Sequence, residues 1–107
     1  MKYSPEYQKA LKKRYPKVAA CFDDLGKFTA EAGPLDRKMQ LMVKLGAAID
    51  LGSEGDTQNL AGQALQEGLT AEELRQAVLL TVTTAGFPKM IVAMQWVEEI
   101  IEQKTAK

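Results

Sequence analysis

Residues 69–101, LTAEELRQAVLLTVTTAGFPKMIVAMQWVEEII, contain the start and stop signals of two helices joined by a tight corner. Thr70 and Glu73 have the spacing of a capping box, in which each side chain satisfies a free backbone N–H group at the start of a helix. At the corner Gly86–Pro88, glycine can end one helix and proline can begin the next. The stretch therefore predicts a helical hairpin.

Residues 78–84, VLLTVTT, are the part of this hairpin that could instead form a strand, because β-branched residues favour sheets. Helix is the better interpretation, since the apolar spacing of Leu74, Val78 and Ala85 fits a period of 3.6 residues. A lone strand would also leave its backbone unpaired. The threonine hydroxyls of this segment are then expected to donate to carbonyls one turn earlier, although one could face a cavity.

Proline and glycine also divide the sequence before the hairpin into helices. The predicted helices run from Ser4–Pro5 to Tyr15, from Pro16 to about Ala32, from Leu35 to Leu51 with Asp36 in its first turn, and from Asp56 to Glu67. On the third of these, the side chains available for burial are Met39, Met42, Val43, Ala47 and Ile49. The sequence thus predicts an all-α fold: a single-domain orthogonal bundle of about six helices, residues 1–107, with a C-terminal helical hairpin.

Composition excludes several classes of function. With 107 residues, a net charge of zero and 46% hydrophobic residues, the chain has no general attraction to nucleic acid or membranes. Its apolar runs are too short to span a bilayer and no export segment is evident, so a cytoplasmic protein is expected. The lack of histidine removes the commonest base and metal ligand, and no metal or cofactor is expected. Cys21, the one cysteine, is expected to be buried beside Phe22.

Charge and apolar surface are unevenly placed at the two ends of the chain. Six basic residues against one acidic residue occur through Lys17, whereas Glu98, Glu99 and Glu102 cluster near the end. The basic segment is expected to be solvated or to pair with the acidic tail. The last helix has apolar side chains over an arc of about 200°. This is twice the arc of roughly 100° that packing against one neighbour requires. We expect a homo-oligomer with this helix at or near the interface; the alternative is that the N-terminal helices cover it within one chain.

The residues from Leu35 to Ile101, about two thirds of the chain, resemble the carboxymuconolactone decarboxylase and alkylhydroperoxidase D-like family. The matching motifs are Leu35–Lys38, the connection Gly68–Glu73 and the corner Ala85–Pro88. The resemblance implies an all-helical, alkylhydroperoxidase D-like fold. It also implies assembly as trimers or hexamers, with active sites near subunit interfaces.

The resemblance further implies where catalytic groups would lie. Peroxidase members carry a glutamate and, after eleven residues, Cys-x-x-Cys-x-x-x-His, in which two thiols one turn apart can form a disulfide. The corresponding residues of this chain are Leu41, Ser53, Asp56 and Leu60. Decarboxylase members resemble this chain in a Glu-Gly pair, here Glu54 and Gly55, but usually have histidine at the position of Leu60.

Three hypotheses of function follow. The first is a scaffold without the family's redox centre, a homo-oligomer that binds a small apolar or weakly acidic molecule or serves as a subunit of a larger assembly. Its methionines could pack in the core or line a pocket. The second is an enzyme that acts on a cyclic acid or lactone through Glu54 and Asp56, although Asp56 could simply cap the fourth helix. Peroxidase activity is the third and weakest hypothesis.

Overall fold

The computed structural model describes residues 5–105, and these residues form helices and no strand. In chain order the helices are α1 Pro5–Arg14, α2 Pro16–Glu31, α3 Arg37–Leu51, α4 Glu54–Gln66, α5 Ala71–Leu80, α6 Val82–Ala85 and α7 Phe87–Thr105. The single turn α6 continues α5 beyond a break at Thr81. The predicted all-α fold is therefore confirmed, and the β-branched segment 78–84 is helical apart from that break.

Two helix starts differ from the predicted ones, and Ser4 lies outside the described residues. Asp36 is the N-cap of α3, not part of its first turn, because its carboxylate accepts a hydrogen bond from the Met39 N–H group at 2.9 Å. Gly52 ends α3 in the left-handed conformation, with φ of 72°. The next residue, Ser53, is extended and caps α4, so this helix begins two residues before Asp56.

The core lies between α3, α4, α5 and α7. Its buried side chains are Leu41, Leu45, Ile49, Ala61, Ala64, Leu69, Leu74, Val78, Met90, Ala93, Val97 and Ile101. On α3, the expectation of burial holds for Ile49, whereas Met39, Val43 and Ala47 are exposed. The reason is that the face of α3 that carries Leu41, Leu45 and Ile49 meets the other helices, so the opposite face remains at the surface.

The C-terminal hairpin has the predicted capping box and corner. The Thr70 hydroxyl accepts a hydrogen bond from the Glu73 N–H group, and the Glu73 carboxylate accepts one from the Thr70 N–H group. Gly86 has a φ of 96°, a conformation that glycine adopts without steric cost. The Thr81 and Thr83 hydroxyls donate to carbonyls three residues earlier, as predicted. The Thr84 hydroxyl shares its one proton between the Thr81 carbonyl at 3.3 Å and a carboxylate of α3 at 3.1 Å.

Helices α1 and α2 form a hairpin that we call the N-terminal arm, residues 5–31. They pack on each other and have no extensive contact with α7, so the arm does not cover the apolar arc of the last helix. Ile91 and Val92 of that arc are exposed. Within residues 5–105, no helix has both the length and the apolarity needed to cross a bilayer.

Candidate functional site

The resemblance assigns catalytic groups to four positions, which we call the family positions: Leu41, Ser53, Asp56 and Leu60. Two of them, Ser53 and Asp56, lie together at the connection between α3 and α4. The Ser53 hydroxyl accepts a hydrogen bond from the Asp56 N–H group at 3.4 Å and donates one to Asp56 Oδ2 at 3.0 Å. This reciprocal pair caps α4, and Asp56 is exposed. The serine hydroxyl is therefore a hydrogen-bond donor to a carboxylate at the position where peroxidase relatives have their first thiol.

The other two family positions are apolar and pack with the core. Leu41, at the glutamate position, is only 1% exposed and belongs to the buried cluster. Leu60, at the histidine position, is half-buried against the same cluster. Neither side chain can accept or donate a proton.

The predicted catalytic pair, Glu54 and Asp56, lies in the first turn of α4. Side chains two residues apart on a helix do not face each other. Glu54 is half-buried, whereas Asp56 is exposed and held by Ser53. Joint acid–base catalysis by these carboxylates stays a prediction.

An open cleft of about 520 Å³ lies between α3 and the α5–α6 segment, and we call it the α3–α5 cleft. Its lining residues are Met42, Val43, Gly46, Ala47, Asp50, Glu73, Gln76, Ala77, Leu80, Thr81 and Thr84. Of the methionines, Met42 lines this cleft, whereas Met90 is buried in the core. A smaller cavity of about 210 Å³ lies beside Gly52, between α3 and α7.

Polar groups of the cleft come from different helices. Asp50, near the end of α3, accepts a hydrogen bond from the Thr84 hydroxyl at 3.1 Å. Its backbone carbonyl accepts one from Lys89 Nζ at 2.7 Å. Glu73 lies in the first turn of α5, where the hydrogen bond from the Thr70 N–H group lowers its pKa below the ordinary value. Both residues are exposed, and each has a lysine nearby, Lys89 at Asp50 and Lys38 at Glu73, so the cleft combines apolar walls with polar groups of both charges.

Local sequence patterns do not indicate the carboxylates of this cleft. The spacing predicts Glu73 only as part of a capping box and gives no role to Asp50. A signal for Asp50 was available, because on α3 it lies one turn after Gly46 and Ala47, on the side opposite Leu41 and Leu45. Its pairing with Thr84 joins residues 34 positions apart, which no local pattern indicates.

The expectation that Cys21 is buried is wrong. Its side chain is exposed on α2, because the arm has no second layer of helices packed against it. Only Ala19 of α2 is buried.

A model of the Carboxymuconolactone decarboxylase family matches residues 16–99. The match covers most of the chain, and this protein belongs to that family. The matched region includes α2 in addition to most of the residues 35–101 that carry the sequence resemblance.

The chain is also similar to Uncharacterized protein MJ1511 of Methanocaldococcus jannaschii. The two sequences are 28% identical over 90 residues, which are 84% of each chain. The name of that relative assigns it no activity.

Proposed function

We propose that this protein is a homo-oligomeric member of the family that binds a small apolar molecule and has no thiol redox centre. The observation that carries the proposal is the set of side chains at the four family positions: Leu41, Ser53, Asp56 and Leu60. None of them is a thiol or an imidazole, and the chain contains no histidine that could substitute.

Elementary chemistry supports the loss of peroxide reduction. A peroxidatic group must be a thiolate, and a serine hydroxyl without a base is a poor nucleophile. Here the Ser53 hydroxyl donates to Asp56 as part of a helix cap. Leu41 is enclosed in the core and has no ionisable group, so it cannot pass a proton from α3 to Ser53.

The α3–α5 cleft supports a binding role. Its volume of about 520 Å³ lies within the range of small-molecule sites, which are mostly apolar with a few polar groups. Most lining residues are apolar, with a few polar groups such as Asp50 and Thr84, so a small and largely apolar molecule fits the cleft.

Exposed apolar surface supports self-association. Ile91 and Val92 of α7 are exposed, and the arm adds a larger apolar face on α2. This face consists of Val18, Phe22, Leu25 and Phe28. Surfaces of this kind on a small domain are typical of protein interfaces.

The absence of thiol chemistry is tested with a hydroperoxide and a dithiol reductant. We expect no turnover by the wild-type protein or by Cys21→Ser, and a gain of activity in the triple variant Ser53→Cys/Asp56→Cys/Leu60→His. The triple variant is the positive control, because it restores two thiols one turn apart at a helix N-terminus, followed by an imidazole. Wild-type turnover that Cys21→Ser abolishes would contradict the proposal.

Binding is tested with the neutral apolar dye Nile red. We expect its fluorescence to rise with the wild-type protein and to fall several-fold in Ala47→Phe, because the added ring fills the cleft next to an exposed position. Gln103→Phe adds the same ring to an exposed site of α7 and serves as the control. Equal dye binding by both variants would exclude the cleft as the site.

A further inference from the structure

We infer that the cavity between α3 and α7, which we call the α3–α7 cavity, binds a small aromatic carboxylic acid through Lys89. This site is separate from the α3–α5 cleft and goes beyond the proposed function. Among residues 5–105, the two share no lining residue.

The α3–α7 cavity has apolar walls and room for one aromatic ring. Its lining residues are Ile49, Gly52, Pro88, Lys89, Val92 and Trp96. Its volume of about 210 Å³ exceeds the roughly 150 Å³ of an apolar cavity that holds benzene. Trp96 is half-buried at this wall, and an aromatic residue packs favourably against a second ring. The walls therefore suit a single ring with a short substituent.

The sequence leaves this space open where α3 ends and α7 begins. Gly52 takes the left-handed conformation, with φ of 72°, which glycine adopts without steric cost. A Cβ atom at this position would meet no atom within 4 Å, so nothing packs against Gly52 from the cavity side. Lys89 is the third residue of α7, and its side chain reaches back to the end of α3.

The charge at the cavity comes from Lys89. Among the described residues that line the cavity, it alone is charged. Its ammonium group has three N–H donors and gives one of them to the Asp50 carbonyl, at 2.7 Å. The ion pairs within residues 5–105 are those of Arg75, and the Asp50 carboxylate accepts from Thr84 instead. The bond to Asp50 therefore holds a cation at the edge of the cavity with two donors left for a ligand.

An apolar cavity with a cationic edge discriminates between ligands by charge. The ring of an aromatic acid leaves water, while its carboxylate accepts from the remaining donors of Lys89 and pairs with the positive charge. A neutral ring of the same shape gains only the burial. Because Lys89 is exposed, solvent weakens the pair, and we expect the charge to raise affinity by about fivefold.

The single tryptophan gives a direct readout of this site. Trp96 is the only tryptophan of the chain, so a proton–nitrogen NMR spectrum contains one indole N–H signal, and that signal reports on the cavity. We expect phenylacetate to shift it in a saturable way, and phenylacetamide, the neutral analogue of nearly the same shape, to bind about fivefold more weakly. The inference is overturned if phenylacetate causes no saturable shift.

Substitution of the lysine tests the role of its charge. Lys89→Gln keeps an N–H donor and removes the charge, so phenylacetate should bind about fivefold more weakly and phenylacetamide as before. Lys89→Arg keeps the charge and should retain the preference for the acid. Lys44→Gln removes an exposed lysine of α3 that does not line the cavity, and it is the matched control. An equal preference for the acid in Lys89→Gln and wild type would overturn the inference.

The outcomes separate this inference from the proposed function. Ala47→Phe, which fills the α3–α5 cleft, should lower Nile red binding and leave phenylacetate binding unchanged. Loss of phenylacetate binding in Ala47→Phe would place the acid in the α3–α5 cleft and contradict the inference. Failure of Nile red to bind, with phenylacetate binding intact, contradicts only the proposed role of the α3–α5 cleft.

Discussion

Two buried threonines differ in whether the hydroxyl group has a hydrogen-bond partner. The Thr81 hydroxyl donates to the Val78 carbonyl at 2.6 Å, at the break between α5 and α6. The Thr57 hydroxyl, in α4, is fully buried and has no partner within residues 5–105. A buried hydroxyl without a partner loses its hydration and gains nothing in exchange. The two residues therefore contribute to stability with opposite signs.

We expect Thr57→Val to raise the free energy of unfolding by about 1 kcal/mol, because valine has nearly the same shape and no polar atom to desolvate. Thr81→Val removes a hydrogen bond and should lower it by about 1 kcal/mol. Urea unfolding followed by circular dichroism measures both. A loss of stability in both variants would contradict this account of Thr57.

At the scale of elements, α5 and α7 are joined by an ion pair in addition to core contacts. Arg75 donates to both carboxylate oxygens of Glu98, from Nε at 2.7 Å and from Nη2 at 3.0 Å. It also donates to Glu72, one turn earlier on α5. The paired geometry is the strong form of a charged hydrogen bond, although about a third of each side chain is exposed and solvent weakens it.

This ion pair predicts a dependence of stability on acid. The hydrogen bonds from Arg75 lower the pKa of Glu98, so Glu98 stabilises the folded protein above the ordinary glutamate pKa. The contribution is lost as the pH falls through the lowered pKa of the folded state. We expect Glu98→Gln to be less stable than wild type at pH 7, and the difference to shrink below about pH 4.

The control for this pH dependence is Glu102→Gln, which removes an exposed carboxylate from the same helix outside the ion pairs found in residues 5–105. Chemical denaturation at several pH values compares the variants. A difference between Glu98→Gln and wild type that is constant with pH would contradict the assignment.

At the scale of the whole molecule, the chain has two parts with different surfaces. Helices α3, α4, α5 and α7 share a core, whereas the arm contributes almost nothing to it. The apolar face of the arm is costly to leave in water, which is the physical reason for the proposed association of copies.

Association predicts a concentration-dependent melting temperature. If copies bind each other in the folded state only, the melting temperature of the wild-type protein rises with chain concentration by mass action. Phe22→Glu/Leu25→Glu, within the apolar face of α2, should show a weaker rise, and Ala20→Glu, on the opposite side of this helix, the same rise as wild type. Calorimetry over a hundredfold range of concentration measures the effect, and an identical melting temperature throughout would contradict self-association.

Several features of the fold were predictable because their causes are local. Each of these features depends on residues at most four positions apart. They are the capping box of Thr70 and Glu73, the end of the helix at Gly86, and the hydrogen bonds from threonine hydroxyls to carbonyls one turn earlier. The cap of α4 was predicted at Asp56 but lies at Ser53. Serine and aspartate can both cap a helix. Ser53 is the cap because its backbone is extended directly after Gly52, where α3 ends in the left-handed conformation.

The candidate site was predictable only in part. Ser53 is the N-cap of α4 and Asp56 lies in its first turn, so their proximity follows from the geometry of a helix cap. The cleft was not predictable, because Asp50 and Thr84 belong to helices that are distant in sequence.

Local sequence was sufficient to specify a helical chain and most of its helix boundaries, because proline, glycine and capping side chains act on the backbone beside them. Long-range packing was needed to establish which apolar faces are buried. The spacing on α2 and α3 looked equally suited to a core, yet Leu41 is enclosed whereas Phe22 and Val43 remain in water. The physical reason is that burial depends on which helices meet in space.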